Sequence, residues 1–223
     1  MIDLPLRPRH VLFDLDGTLI DSSVLHARAF TAVLAANAPE LLPRFDYERV
    51  RGWPTRRVFL DLGITDAAAL TKATELKQLN YRAAVAAGDL YPMTGALELV
   101  HWLRGAGCGT HLVTSSSRGS VETALASASL AGLFDQMVTA NDVPEGKPAP
   151  DGYLACLRQI ADKAADCLAV EDAPSGILAA RAAGIVTVGV FNPAVRTSAD
   201  LWFPDLEALH GALERALAGV TAS

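Results

Sequence analysis

Cysteine, net positive charge and long apolar runs are all scarce in this chain of 223 residues. Its three cysteines, Cys108, Cys156 and Cys167, form no C-x-x-C pair. The count is odd and two of them lie in apolar stretches, so they read as small core residues of a reduced, cytoplasmic protein rather than as a disulfide framework or a zinc site. Lys and Arg number 19 against 25 Asp and Glu, for a formal net charge of -6. A phosphate-bearing polymer is repelled by that field, so nucleic acid is not an expected partner. No apolar stretch reaches the roughly 20 residues of a bilayer span, so no membrane role is expected. Residues Met1–Arg9 carry Asp3, Pro5 and Pro8, which is not the basic-then-apolar order of a secretory leader.

What is present is an α/β texture. His10–Asp14 is a short apolar run ending in polar residues, which suits a buried strand. Asp21 and Ser22 then offer N-cap chemistry to a helix with Leu25, Ala29, Phe30, Val33 and Leu34 on one side. From there to about Ala87 only helical patterns follow, punctuated by Pro43, Gly52-Trp53-Pro54 and Gly63, with Asp66 capping a long helix over Ala67–Ala86. After Pro92 helices alternate with strands: a helix near 95–104, a strand near 110–114, a helix near 119–128 and a strand near 137–139. A helix over 151–160, a strand over 167–171, a helix over 175–183 and a strand over 185–190 complete the series. Such alternation predicts a Rossmann-like parallel sheet covered on both faces. The expected division is an α/β core of residues 1–20 and 91–223 with a helical cap, residues 21–90, inserted after the first strand. The tail after about Ala218 is expected to fray. A monomer or weak homodimer is expected.

Parallel α/β sheets bind ligands beyond the carboxyl ends of their strands. Asp14-x-Asp16-Gly17-Thr18, Thr114–Ser117, Lys147 in Gly-Lys-Pro, and Glu171-Asp172 all fall at such ends or in the loops after them. Four converging carboxylates need a counter-cation, and a hard divalent ion with oxygen ligands, magnesium, suits them. A carboxylate attacking phosphorus splits one hydrolysis into two easier steps, and a second carboxyl two residues on can move the protons. Lys147 and a serine hydroxyl would stabilise the phosphoryl oxygens. Each piece also has a plainer reading: a turn, a capped loop, a surface lysine, a helix-capping box. Their order along the chain argues against coincidence.

The motifs resemble those of the haloacid dehalogenase superfamily: Val11–Thr18 (VLFDLDGT), Val113–Arg118 (VTSSSR), Gly146–Asp151 (GKPAPD) and Val170–Gly176 (VEDAPSG). The pattern looks closest to its sugar-phosphatase and β-phosphoglucomutase branch. That resemblance implies Asp14 as nucleophile and metal ligand, and Asp16 as general acid/base that also binds the metal through its carbonyl. It implies Ser115 as phosphate-binding hydroxyl, with Thr114 as the alternative and Ser116 beside it, Lys147 as phosphate-binding cation, and Glu171 and Asp172 as metal carboxylates. His26, twelve residues after Asp14, matches a cap histidine of the mutase branch that approaches the acid/base. Arg51, Thr55, Arg56 and Lys77 are further cap candidates, and Trp53 either meets the ligand or packs. The residue three after Gly52 is Thr55, where the mutase pattern has arginine. The expected activity is a Mg2+-dependent phosphatase acting on a small phosphorylated metabolite, with a phosphomutase as the alternative enzyme and an inactive binding module of the same fold behind both.

Overall fold

The computed structural model describes residues 8–218; the expectations for the first residues and for the tail beyond Ala218 lie outside them. Six strands form one parallel sheet: β1 His10–Phe13, β2 Gly109–Val113, β3 Gln136–Val138, β4 Cys167–Glu171, β5 Val186–Val190 and β6 Leu201–Phe203. Their order is β3-β2-β1-β4-β5-β6. The chain therefore works outward from β1 through β2 and β3, then crosses back to β4 and works outward the other way. The point where the direction reverses lies between β1 and β4, which are paired with Phe13 opposite Val170. Parallel sheets open a crevice at such a switch point.

Period-2 alternation sorts the strand side chains to two faces. Val11 and Phe13 of β1 and Leu168 and Val170 of β4 face one cluster, completed by helices α5 Ala96–Gly105, α6 Arg118–Ser127 and α9 Leu206–Ala218. Leu12, Cys167 and Ala169 face the other, under α7 Asp151–Ile160 and α8 Pro174–Ala182. Cys108, Cys156 and Cys167 are all buried free thiols, consistent with their reading as core residues.

Between β1 and β2 the chain forms α1 Ser23–Asn37, a 3-10 turn Pro39–Arg44, α2 Tyr47–Val50, α3 Thr55–Leu62 and α4 Ala67–Ala86. These pack around their own cluster of Phe30, Val33, Leu34, Val58, Phe59 and Leu70. Leu25 and Ala29 of α1 and Tyr81 and Val85 of α4 instead join the sheet's cluster, so both long helices run from one hydrophobic core into the next. The chain leaves and returns through adjacent backbone, with Asp21 N–H donating to Tyr91 O and Met93 N–H to Leu19 O, both at 2.9 Å.

Helix α4 begins at the Asp66 cap, whose carboxylate accepts from Ala69 N–H, as the sequence predicts. Helix α1 corrects the other cap. Ser22 occupies its N-cap position, but the side chain makes no cap bond. Its hydroxyl goes to Asp16 Oδ1 at 2.7 Å, because a carboxylate is a stronger acceptor partner than an amide is a donor. The capping-box reading of Glu171-Asp172 is also superseded: the N-cap of α8 is Ala173, with no side-chain cap, and both carboxylates turn into the crevice.

Candidate active site

Asp14 is the first residue past β1, and its backbone N–H donates to Val170 O at 3.0 Å, which carries the β1–β4 pairing one step further. Glu171 and Asp172 stand at the end of β4. One carboxylate oxygen from each of Asp14, Glu171 and Asp172 lies within 4.8 Å of the others. Gly17, at φ +89°, allows this closeness: a Cβ there would lie 2.3 Å from Asp172 Oδ2, so no side chain can replace it without moving the carboxylate.

Lys147 is the cation of this cluster. It is 4% exposed, not a surface lysine. Its Nζ stands 2.5 Å from Asp14 Oδ1, 2.6 Å from Glu171 Oε1 and 2.8 Å from Val113 O. Tyr153, which no sequence motif flagged, donates its hydroxyl to the same Glu171 oxygen. Burial alone would discharge Lys147, but Asp14 and Glu171 reverse that and hold the ammonium charged. The carboxylates outnumber it. Burial pushes Asp14 upward against the pull of Lys147. Burial and the Asp14 charge raise Glu171 to about 8, and the same two causes raise Asp172 to about 7.

Asp16 sits across the pocket in the opposite electrostatic condition. It accepts from Ser22 Oγ at 2.7 Å and from Ser116 Oγ at 2.6 Å, and His26 Nε2 lies 2.8 Å from its Oδ1. Tyr81 OH stands 3.5 Å away. Burial opposes ionisation, yet His26 and the Ser116 and Ser22 hydroxyls pull Asp16 well below the usual carboxylate range. Behind His26, Lys77 Nζ lies 2.6 Å from Nδ1. An ammonium has only protons to offer, so Nδ1 accepts and Nε2–H is left to donate to Asp16. Burial and the Lys77 charge hold His26 below its ordinary value, and burial lowers Lys77 to about 8. The His26 ring is stacked on Tyr81 with centroids 4.1 Å apart. His26 and Lys77 are thus buried participants.

The hydroxyl run divides its labour. Thr114 Oγ1 accepts from Ser116 N–H at 3.0 Å, and the Ser116 hydroxyl is committed to Asp16. Ser115 Oγ is buried without a partner among the described residues. Thr114, Ser115 and Ser116 all line the pocket with Asp14 and Asp16. From the helical segment Phe30, Tyr47, Trp53, Thr55 and Lys77 close it from above. The water-sized space left is about 30 Å3. Trp53 both lines this pocket and packs beneath Arg57, whose guanidinium is 4.3 Å from the ring centre. Arg51 reaches down to Asp172 Oδ2 at 3.1 Å, whereas Arg56 is exposed. A cavity of about 370 Å3 on the far side of the helical segment, lined by Leu34, Leu41 and Ile64, is away from every carboxylate of the site.

A sequence model of the haloacid dehalogenase-like hydrolases matches residues 11–190, which include every residue of this pocket. The chain belongs to that family. Among curated proteins, this family member is similar to hexitol phosphatase A of Escherichia coli (strain K12), 34% identical over 193 residues that cover 85% of this chain and 86% of the relative. It is similar also to validoxylamine A 7'-phosphate phosphatase of Streptomyces hygroscopicus subsp. limoneus, 32% identical over 181 residues that cover 80% and 84%. A solved hydrolase from Pseudomonas syringae superposes with a TM-score of 0.81 at 25% identity, covering 92% of this chain and 98% of that one. This haloacid dehalogenase-like chain is accordingly an enzyme, a hydrolase of the phosphatase kind.

Ser22, Tyr81 and Tyr153, whose hydroxyls face the site's carboxylates, escaped the sequence reading. Ser22 was visible only as a cap candidate. The tyrosines lie on helices α4 and α7, where an aromatic on the buried stripe is indistinguishable from core.

Proposed function

We propose that this enzyme is a Mg2+-dependent phosphatase of a small phosphorylated sugar or polyol, and that residues 21–90 act as a cap over its crevice. The reading is carried by one juxtaposition: two carboxylates share a pocket in opposite states, Asp14 clamped by Lys147 and Asp16 ringed by proton donors. A carboxylate held by a cation inside a cluster of metal-type donors suits attack on phosphorus, and one surrounded by O–H and N–H groups suits proton transfer. The names of the phosphatases it resembles, which act on a hexitol phosphate and a validoxylamine phosphate, support the substrate class.

The donor set suits a magnesium ion. Asp172 Oδ1 and Glu171 Oε2 are buried acceptors without partners among the described residues, and three hard carboxylates stand close enough to share one ion. Asp14, Asp172, the Asp16 carbonyl and Glu171, directly or through water, would hold it. When bound it supplies positive charge to the carboxylate cluster and to a phosphoryl oxygen. Glu171, tied to Lys147 and Tyr153 through Oε1, chiefly keeps the lysine in place.

Asp14 attacks phosphorus and the phosphate–alcohol bond breaks, leaving an acyl phosphate on Asp14. Lys147 and the Thr114 or Ser115 hydroxyl hold the phosphoryl oxygens. Asp16, ionised at rest, takes the His26 Nε2 proton, passes it to the departing alkoxide and later removes one from the attacking water. The chain Lys77–His26–Asp16 can resupply that proton, since each member is hydrogen-bonded to the next. About 30 Å3 of space admits no phosphate ester, so the cap must open for each turnover. The test is phosphate release with magnesium across a panel of sugar, polyol and glycerol phosphates. Activity on that panel that is lost on chelation supports the reading; release that ignores chelation rejects its metal dependence.

The contact of His26 with Asp16 favours a second reading, in which the phosphoenzyme returns its phosphate to a bound sugar as a phosphomutase. Thr55 in place of an arginine weighs against it. Measuring isomerisation and phosphate release on the same sugar phosphates separates the two.

A further inference from the structure

The cap touches the metal carboxylates through one loop. Arg51 Nη1 donates to Asp172 Oδ2 at 3.1 Å while Nη2 holds Glu48 at 2.9 Å on the same cap element. The Arg51 carbonyl accepts from Ser175 Oγ at 3.2 Å, in the first turn of α8. Gly52, at φ +77°, lies so close that a Cβ would meet Ser175 Oγ at 2.5 Å and Ala173 Cβ at 3.0 Å. Pro54 lies over Gly146, next to Lys147. The loop is pressed onto the core on the side of the crevice where the partnerless oxygen of Asp172 lies. The guanidinium is mostly buried, and its Nε has no partner among the described residues. It is therefore a cation held over Asp172 by a single ion pair to the core, and the pair exists only while the cap is down.

A guanidinium at hydrogen-bond distance from Asp172 and a divalent ion on that carboxylate repel each other in a poorly solvated crevice. We infer that Arg51 is an internal counter-cation for Asp172 that latches the cap shut and competes with the divalent ion, so that metal loading and cap closure oppose each other in the substrate-free enzyme. By linkage, whatever the ion costs the closed cap, the closed cap costs the ion. The inference rests on the metal reading above and goes beyond it, because it assigns a cap residue to control of the metal pocket.

The experiment is calorimetric titration of the purified full chain with magnesium alone, in wild type, Arg51→Gln, Arg51→Lys and Arg49→Gln. Arg49, paired with Asp61 on the cap surface, controls for loss of one distant positive charge. Arg51→Gln is expected to bind magnesium about five- to twentyfold more tightly than wild type, with Arg51→Lys in between and Arg49→Gln within about twofold of wild type. Hydrogen exchange over residues 50–56 should rise in wild type when magnesium is added, and should already be high in metal-free Arg51→Gln. Wild type that binds the ion while Arg51→Gln binds it equally or less tightly overturns the latch alone. Wild type that binds no magnesium overturns the metal reading and the latch with it. Thermal melting of each variant shows that a change in affinity is not a change in folding, and Arg51→Lys serves if Arg51→Gln does not fold.

Discussion

The two walls of the pocket are built on different principles. The sheet side places Asp14, Lys147, Glu171 and Asp172 from backbone at the switch point between β1 and β4, behind strands whose apolar residues are fully buried. The cap side places His26 and Lys77 from α1 and α4, and Arg51 from the loop after α2. These helices have a small core of their own and also send Leu25, Ala29, Tyr81 and Val85 into the sheet's core, with polar contacts at the pocket itself. Under the proposed function, the carboxylate cluster would stay fixed on the sheet while the groups that would meet the substrate's variable part would move with the cap. The cap side also answers a charge problem of the sheet side, supplying a donor to Asp16 and a cation to Asp172.

The largest break in that comparison is on the sheet side. Asp14→Asn should lower kcat by about 10^4-fold or more, because the nucleophile has no substitute, while Glu171 still pairs with Lys147 and the fold persists. Steady-state phosphate release together with a thermal melt checks both halves. Lys147→Ala should leave Asp14 and Glu171 buried without their cation, costing about 3–5 kcal/mol of stability and about 10^2- to 10^3-fold in kcat. Urea unfolding should show the loss, and magnesium should restore part of it.

The cap side should give smaller, more selective effects. His26→Ala is expected to reduce kcat about 10- to 100-fold while costing only about 1–2 kcal/mol of stability, as read by kinetics and urea unfolding on one preparation. Lys77 provides a pH test. Its folded value, about 8, lies below the ordinary 10.5, so between those values the unfolded chain binds more protons than the native one. Stability contributed by this group therefore rises with pH between 8 and 9.5, and Lys77→Met should remove that slope. Denaturation midpoints at half-unit pH steps decide it. Arg56→Ala, exposed beside the same loop, should change kcat/KM by less than about twofold.

Much of the sheet side was legible in the sequence. The bounds of β4 and α7 agree with it to the residue, because continuous apolar runs between turn residues have few alternatives. The edge strand β6 was not legible: three residues, Leu201–Phe203, are too short to show a period. Helix α9 carries Leu206, Leu209 and Leu213 on its buried side and offered a signal that went unread. On the cap side the helices and the Asp66 cap were readable, but the partners were not. Nothing local tells Ser22 to abandon its helix for Asp16, or Arg51 to span from residue 51 to Asp172. Such contacts are set by the docking of one layer on the other.

The most direct measurement is acid-quenched trapping of the enzyme during turnover of a hexitol phosphate with magnesium, followed by peptide mass spectrometry. The account predicts a hydroxylamine-labile phosphate on the peptide that contains Asp14, absent in Asp14→Asn. Turnover with phosphate on a different residue, or with no phosphoenzyme in wild type, contradicts it.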